Sequence, residues 1–215
     1  MGAKTWMLVY ANGNAGEILK STPQLDRDAT ASLAGKLFPS EKLVPVEDGD
    51  LSFTCPPDDE LVLGCFPGVS IIAAKEFGID YPSKLPSIFL ENASGQTIYL
   101  HAMHSVVDWF AYAVWSNGKL QRSLSLSPDS GILEDIGPRL PFEGPYWSGQ
   151  HPVFDPEEDE DTDYPFAFHP LELGEAALQE FFGYQLEGMA VPTNLEPEGI
   201  PLVRFKRSRS WWKLW

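Results

Sequence analysis

The residues best able to do chemistry gather around one arginine. In GKLQRSLSLSPDSG, Gly118 to Gly131, Leu120, Leu124 and Leu126 alternate with polar residues as on a half-buried strand, and Arg122 falls in their phase. A guanidinium on an apolar face is either paired with a carboxylate or held ready for an anion. Glu134, Asp135 and Glu143 follow closely along the chain, and His104 precedes it with a group that titrates near neutrality. With Asn117-Gly118 as a two-residue turn, an unbroken ladder predicts Arg122 opposite Ala113, flanked by Trp109 and Trp115 on the same face. Two arrangements follow. In one, Arg122 lies over Trp115 or pairs with Glu134, Asp135 or Glu143 inside the fold. In the other, Arg122 holds an anionic group in an aromatic pocket beneath residues 127–147, with Glu134, Asp135, Glu143 or His104 as acid–base groups.

Other motifs carry less. GAKT at Gly2 to Thr5 lacks the upstream strand and glycine of a phosphate-binding loop, and NGNAGE lacks glycines in dinucleotide-binding phase. SNGK at Ser116 to Lys119 lies on a hairpin turn rather than at the start of a helix, without the partner motifs of a serine–lysine enzyme. His101 and His104 sit three apart on a predicted strand and so point to opposite faces, which excludes a shared metal there. Asp159, Asp161 and Asp163 start like a calcium loop, but Tyr164 stands in place of its glycine and Pro170 in place of its bidentate glutamate. No catalytic residues, no metal site and no cofactor are expected from these patterns. Cys55 and Cys65 flank PPDDE out of cross-strand register, so two free thiols of a reducing compartment are expected.

The elements that must position these groups are mostly strands. TWMLVY, Thr5 to Tyr10, reads as a central strand buried on both faces. Thr22-Pro23 reads as the start of a helix whose apolar stripe is Leu25, Ala29, Leu33 and Leu37. LSFTC and ELVLGCF read as a hairpin, and SIFLENASGQTIYLHAM as two short strands around a turn. DWFAYAVW and LQRSLSLS form a hairpin about Asn117-Gly118. GEAALQEFFG, Gly174 to Gly183, is a short helix with a glycine at its C-cap, and IPLVRF is a last strand. Between them, Ser127 to Pro170 is broken by prolines and glycines, yet PFEGPYW is too aromatic to be disordered and should pack over the sheet. The expected fold is α+β: a single domain with a mainly antiparallel sheet, a few helices and a long Pro/aromatic-rich ordered loop. It spans residues 1–206, with an acidic loop at 155–163, and a basic Trp-rich tail at 207–215 follows.

Charge narrows the partners. The 215 residues carry 31 acids against 15 Lys and Arg, a formal charge of −16, while 43% hydrophobic and 13% aromatic residues are ample for a core. After Glu198 there are only bases: Arg204, Lys206, Arg207, Arg209 and Lys213. The acidic body repels nucleic-acid phosphates and anionic membranes and suits a basic protein partner. The basic tail could also lie across the acidic body, near Asp155 to Asp163. Absence of a long apolar run and of a signal-peptide core at MGAKTWMLVYANGN predicts a cytoplasmic protein.

MGAKTWMLVYANG, VWSNGKLQRSLSLSPDSGILEDIGPRLPFEGPYWSG and FHPLELGEAALQEFFGYQLEG together resemble an uncharacterised bacterial domain-of-unknown-function family common in actinobacteria. The resemblance spans roughly Met1 to Gly188 and implies no activity and no functional residue. The expectation is therefore a non-catalytic, cytoplasmic, regulatory or immunity-like protein that meets a protein partner through its acidic surface. The competing expectation is an enzyme or anionic-ligand binder at Arg122.

Overall fold

A computed structural model describes residues 2–93, 95–153, 164–187 and 194–209. The chain runs β1 (Lys4–Ala11), α1 (Ala15–Lys20), α2 (Arg27–Leu37), β2 (Glu41–Pro45), β3 (Gly49–Asp50), β4 (Glu60–Phe66), β5 (Val69–Ala73), α3 (Ser87–Glu91), β6 (Thr97–His104), β7 (Trp109–Ser116), β8 (Lys119–Ser127), β9 (Gly131–Ile136), α4 (Gly144–Trp147), α5 (Pro170–Phe182) and β10 (Pro201–Arg209). The apolar run TWMLVY makes β1 the inner strand it was expected to be, paired antiparallel with β5 on one side and β6 on the other. The sheet order is β2-β10-β4-β5-β1-β6-β7-β8-β9, with β3 on β10, and every described pairing is antiparallel.

Two cores follow from burying both faces of this sheet. One holds Met7, Val9, Phe110, Tyr112 and Leu124 under α1 and α5. The other holds Leu8, Tyr10, Ala111, Trp109 and Trp115 under α2, α3 and the 3-10 turns Lys75–Phe77 and Pro82–Lys84. The architecture is thus a single α+β domain with a large, mainly antiparallel sheet between helices. α5 ends as its sequence predicts: Gly183 is left-handed at φ 79, and its N–H reaches the Gln179 and Leu178 carbonyls. His101 points toward α5 and His104 the opposite way. The buried His101 ring accepts from the Thr5 hydroxyl at Nδ1 (2.7 Å) and donates from Nε2 to the Gly174 carbonyl (3.0 Å). Burial holds His101 down at about 4, so it ties α5 to the sheet as a neutral ring.

Several expected elements shift. Thr22, at φ 49, ends the first helix instead of starting the second; α2 begins at Arg27 because Asp26 caps it through the Ala29 N–H (2.9 Å). The hairpin partner of ELVLGCF is VSIIA across Pro67-Gly68, and LSFTC is not a strand. SIFLE is helix α3 rather than a strand, held by Phe89 packing edge-on to Phe77. The 127–170 segment is not all loop: β9 extends the sheet, and PFEGPYW folds as a 3-10 turn and α4. Cys55 and Cys65 are free thiols. The acidic run 155–163 and the tail from Ser210 lie outside the described residues. β10 itself carries the chain through Arg207 and Ser208, which pair with Leu43 and Lys42 of β2.

Candidate functional site

The turn behind Arg122 forms as its residues demand, with Asn117 at φ 52 and Gly118 at φ 72. Beyond it the ladder slips. Trp115 pairs with Leu120, but Val114 then pairs with Arg122, leaving Gln121 as an extra residue. This one-residue bulge turns Arg122 to the opposite face from the one an unbroken ladder predicts. Arg122 sits with Tyr112 and Leu124 under PFEGPYW, while Trp109 and Trp115 lie on the far side of the sheet. The bulge is locked by Gly137, at φ 82; a Cβ there would meet the Gln121 carbonyl oxygen at 2.0 Å.

Arg122 is 0% exposed, and its guanidinium is filled from within the chain. Nε and Nη2 donate to the two oxygens of Glu143 at 2.9 and 2.7 Å. Nη1 donates to the Asp135 carboxylate and to the Ile136 and Gly137 carbonyls at 3.1 and 3.2 Å. Glu143, also 0% exposed, accepts further bonds from the Tyr112 hydroxyl (2.6 Å), the Leu140 N–H (2.7 Å) and the Trp147 indole (3.2 Å). Burial alone would lower the Arg122 pKa, but the bonds to Glu143 and Asp135 outweigh it and hold it above its ordinary value. Burial, then the Glu143 charge, pushes the Tyr112 phenol up. Arg139 closes the outside, its guanidinium 4.0 Å from the Trp147 ring centre. Such a network fixes PFEGPYW to the sheet and offers a ligand no open donor.

Of the residues singled out by sequence, Arg122, Asp135 and Glu143 come together, and the rest do not join them. Glu134 faces the other way, where it accepts from the Ser83 N–H (3.0 Å), the Ser83 hydroxyl (2.5 Å) and the Ser123 hydroxyl. Trp115 is buried in the far core, and Trp109 donates to the Ser125 hydroxyl at 3.2 Å. His104 stacks on Trp6 at 5.7 Å, beside Trp109. Tyr112, Leu140 and Trp147 are members of the Arg122 network that sequence reasoning did not assign. The bulge hid Tyr112, and the sequence signal for it was Gly137.

The open, charged part of the molecule lies elsewhere. A groove of about 690 Å³ runs between α4, the start of α5 and the segment after α5, lined by Tyr146, His151, His169, Glu172, Glu175 and Glu187. Among the described residues its lining holds no lysine or arginine. Tyr146 stacks on His151 at 4.2 Å and gives its hydroxyl to the Glu172 carbonyl (3.3 Å). His169 caps α5 by accepting the Leu171 N–H at Nδ1 (3.3 Å), with Nε2 3.6 Å from Asp108. Glu175 is 8% exposed and accepts from the Leu186 and Glu187 N–H groups at 2.8 and 3.2 Å; burial still pushes it up to about 7. Glu172 and Glu187 are exposed. Among the described residues, no three His, Cys, Asp or Glu side chains converge as metal ligands, and no helix is long and apolar enough to cross a membrane.

A family model described as "Family of unknown function (DUF6928)" matches residues 5–205. The chain belongs to that family. No curated protein and no solved structure matches it.

Proposed function

We propose that this member of the DUF6928 family is a non-catalytic binding protein whose acid-lined groove at the start of α5 receives a basic segment of a protein partner. The observation that carries the reading is an imbalance in how charge is used. Three bases of β10 are consumed internally: Arg204 and Lys206 converge on Glu60 (both 2.8 Å), and Arg207 bridges Glu41 and Glu76 at 2.5 and 2.6 Å. Lys206, then Arg204, holds the Glu60 carboxyl below its usual range. The groove, in contrast, presents the exposed Glu172 and Glu187 beside the buried Glu175, with no lysine or arginine among the described residues of its lining. Facing carboxylates between low-dielectric walls concentrate field and speed the approach of a cationic chain. Tyr146 and His151 add ring surface for the stems of lysine and arginine side chains. A regulatory or immunity-like role in the cytoplasm fits a receptor of this kind, and the two unpaired thiols support that compartment.

The competing reading, an anionic ligand held by Arg122 under residues 127–147, requires the ligand to displace Glu143 from its donors, and the burial of both side chains opposes that exchange. The test is calorimetric titration with a short Lys/Arg-rich peptide at low and high salt. Binding to the wild type is expected to weaken steeply with salt and to fall about tenfold in the Glu172→Gln/Glu187→Gln variant. Equal affinity in the two proteins would sink the reading.

A further inference from the structure

On the other side of the sheet from the acid-lined groove, three aromatic rings meet at one end of β1, β6 and β7. His104 is the register partner of both Lys4 and Trp109, so Trp6, His104 and Trp109 share a face. Trp6 lies 5.7 Å from His104 and 5.9 Å from Trp109, ring centre to ring centre. The rings line a groove of about 390 Å³ completed by Asp80, Asp129 and Leu133. Gly78 lies directly against Trp6: a Cβ there would sit 2.8 Å from the indole carbon Cε3.

The chemistry of this lining is selective. The Trp109 indole N–H is already committed to the Ser125 hydroxyl at 3.2 Å. What the two ring faces offer is carbon and π surface, which attracts positive charge. Asp80 and Asp129 are exposed carboxylates of the lining and repel an anion. His104 is held below its ordinary pKa by burial and then by Lys4, so at neutral pH it adds a neutral ring; Lys4 itself is outside the groove's lining. A primary ammonium must replace its shell of water with close acceptors. A quaternary ammonium spreads its charge over methyl groups and is satisfied by ring faces with carboxylates at a distance.

We propose that the Trp6–His104–Trp109 groove binds a methylated ammonium head group, with Asp80 and Asp129 supplying the counter-charge. The head group can come from a choline-type small molecule or from a trimethylated lysine on a protein, and the chemistry recognised is the same. The site is independent of the acid-lined groove, which lies on the opposite face, so either can fail without the other.

The test follows tryptophan indole N–H resonances during titration with tetramethylammonium chloride, against sodium chloride and against neutral tert-butanol. The expected result is saturable shifts of the Trp6 and Trp109 signals with tetramethylammonium alone. Asp80→Asn/Asp129→Asn, at two exposed positions, is expected to weaken binding about tenfold with an unchanged melting temperature. Parallel titrations with choline and with a trimethyl-lysine peptide then identify the source by which binds more tightly. Equal shifts with tert-butanol, no saturation, or undiminished binding in the folded double variant would each overturn the proposal.

Discussion

Two carboxylate clusters on the α5 side of the sheet are built from similar residues and do opposite things. At Arg122, the guanidinium and Glu143 are both 0% exposed and saturate each other, with Tyr112, Leu140, Trp147 and Asp135 taking what remains. At the start of α5, Glu172, Glu175 and Glu187 line an open groove with no lysine or arginine among the described residues of its lining. The first cluster spends its charges on holding two segments together; in the second, Glu175 ties down the segment after α5 through the Leu186 and Glu187 N–H groups, while Glu172 and Glu187 stay exposed. A titratable cluster points to function through what it leaves unsatisfied, not through how many charged residues it gathers.

Breaking the closed cluster should have the largest effect. Glu143→Ala strands a buried guanidinium, with an expected loss of about 3–5 kcal/mol. For a chain of this size that is a fall in melting temperature of roughly 10 °C, read by calorimetry. A smaller fall in Arg122→Ala than in an exposed control such as Arg27→Ala would contradict the buried-network account.

Acid should act next, through His101. Its folded pKa of about 4 lies below its unfolded value, so the unfolded chain takes up the proton first as pH drops. This stabilisation is present above pH ~6.5 and is lost as pH falls toward 4, by up to about 3 kcal/mol. In His101→Gln, which retains a donor for the Gly174 carbonyl, the melting temperature should lose much of its slope across that window. Glu175 has the opposite sign. Its folded pKa of about 7 is above the unfolded one, so its contribution is full below the unfolded value and is lost as pH rises through 7. Glu175→Gln should therefore raise the melting temperature at pH 8 relative to wild type and change it little at acid pH. The Leu186 and Glu187 N–H bonds, which favour the carboxylate, keep this effect modest.

The smallest effect on stability belongs to the open cluster. Glu172→Gln and Glu187→Gln, at exposed positions, should each stay within about 0.5 kcal/mol of wild type in denaturant titrations. A larger loss would make the groove a structural feature like the Arg122 network and erase the contrast.

Local chemistry was legible in the sequence where it was strong. TWMLVY gave a central strand, Asn117-Gly118 a hairpin turn and GEAALQEFFG a helix ending at Gly183, because each is decided by residues close in the chain. The pairing of Arg122 with acids of the downstream segment was also within reach, since a buried guanidinium needs a carboxylate. Its face was not. Counting residues from a two-residue turn assumes an intact ladder, and the Gln121 bulge depends on Gly137, many residues away. SIFLE became a helix for a similar reason: its β-branched and aromatic residues suit a strand, but packing of Phe89 on Phe77 and Phe38 decides otherwise. The acid-lined groove was invisible because Tyr146, His151, His169, Glu172, Glu175 and Glu187 are brought together only when the segment after α5 folds back onto Glu175.

The central claim is that Arg122 is internal structure while the open carboxylates meet a partner. It is tested most directly by titrating one Lys/Arg-rich peptide against two folded variants in parallel. Glu143→Gln disturbs the closed cluster and should leave peptide affinity unchanged, whereas Glu172→Gln/Glu187→Gln should weaken it about tenfold. Loss of affinity in Glu143→Gln, with full affinity in the groove variant, would contradict the account.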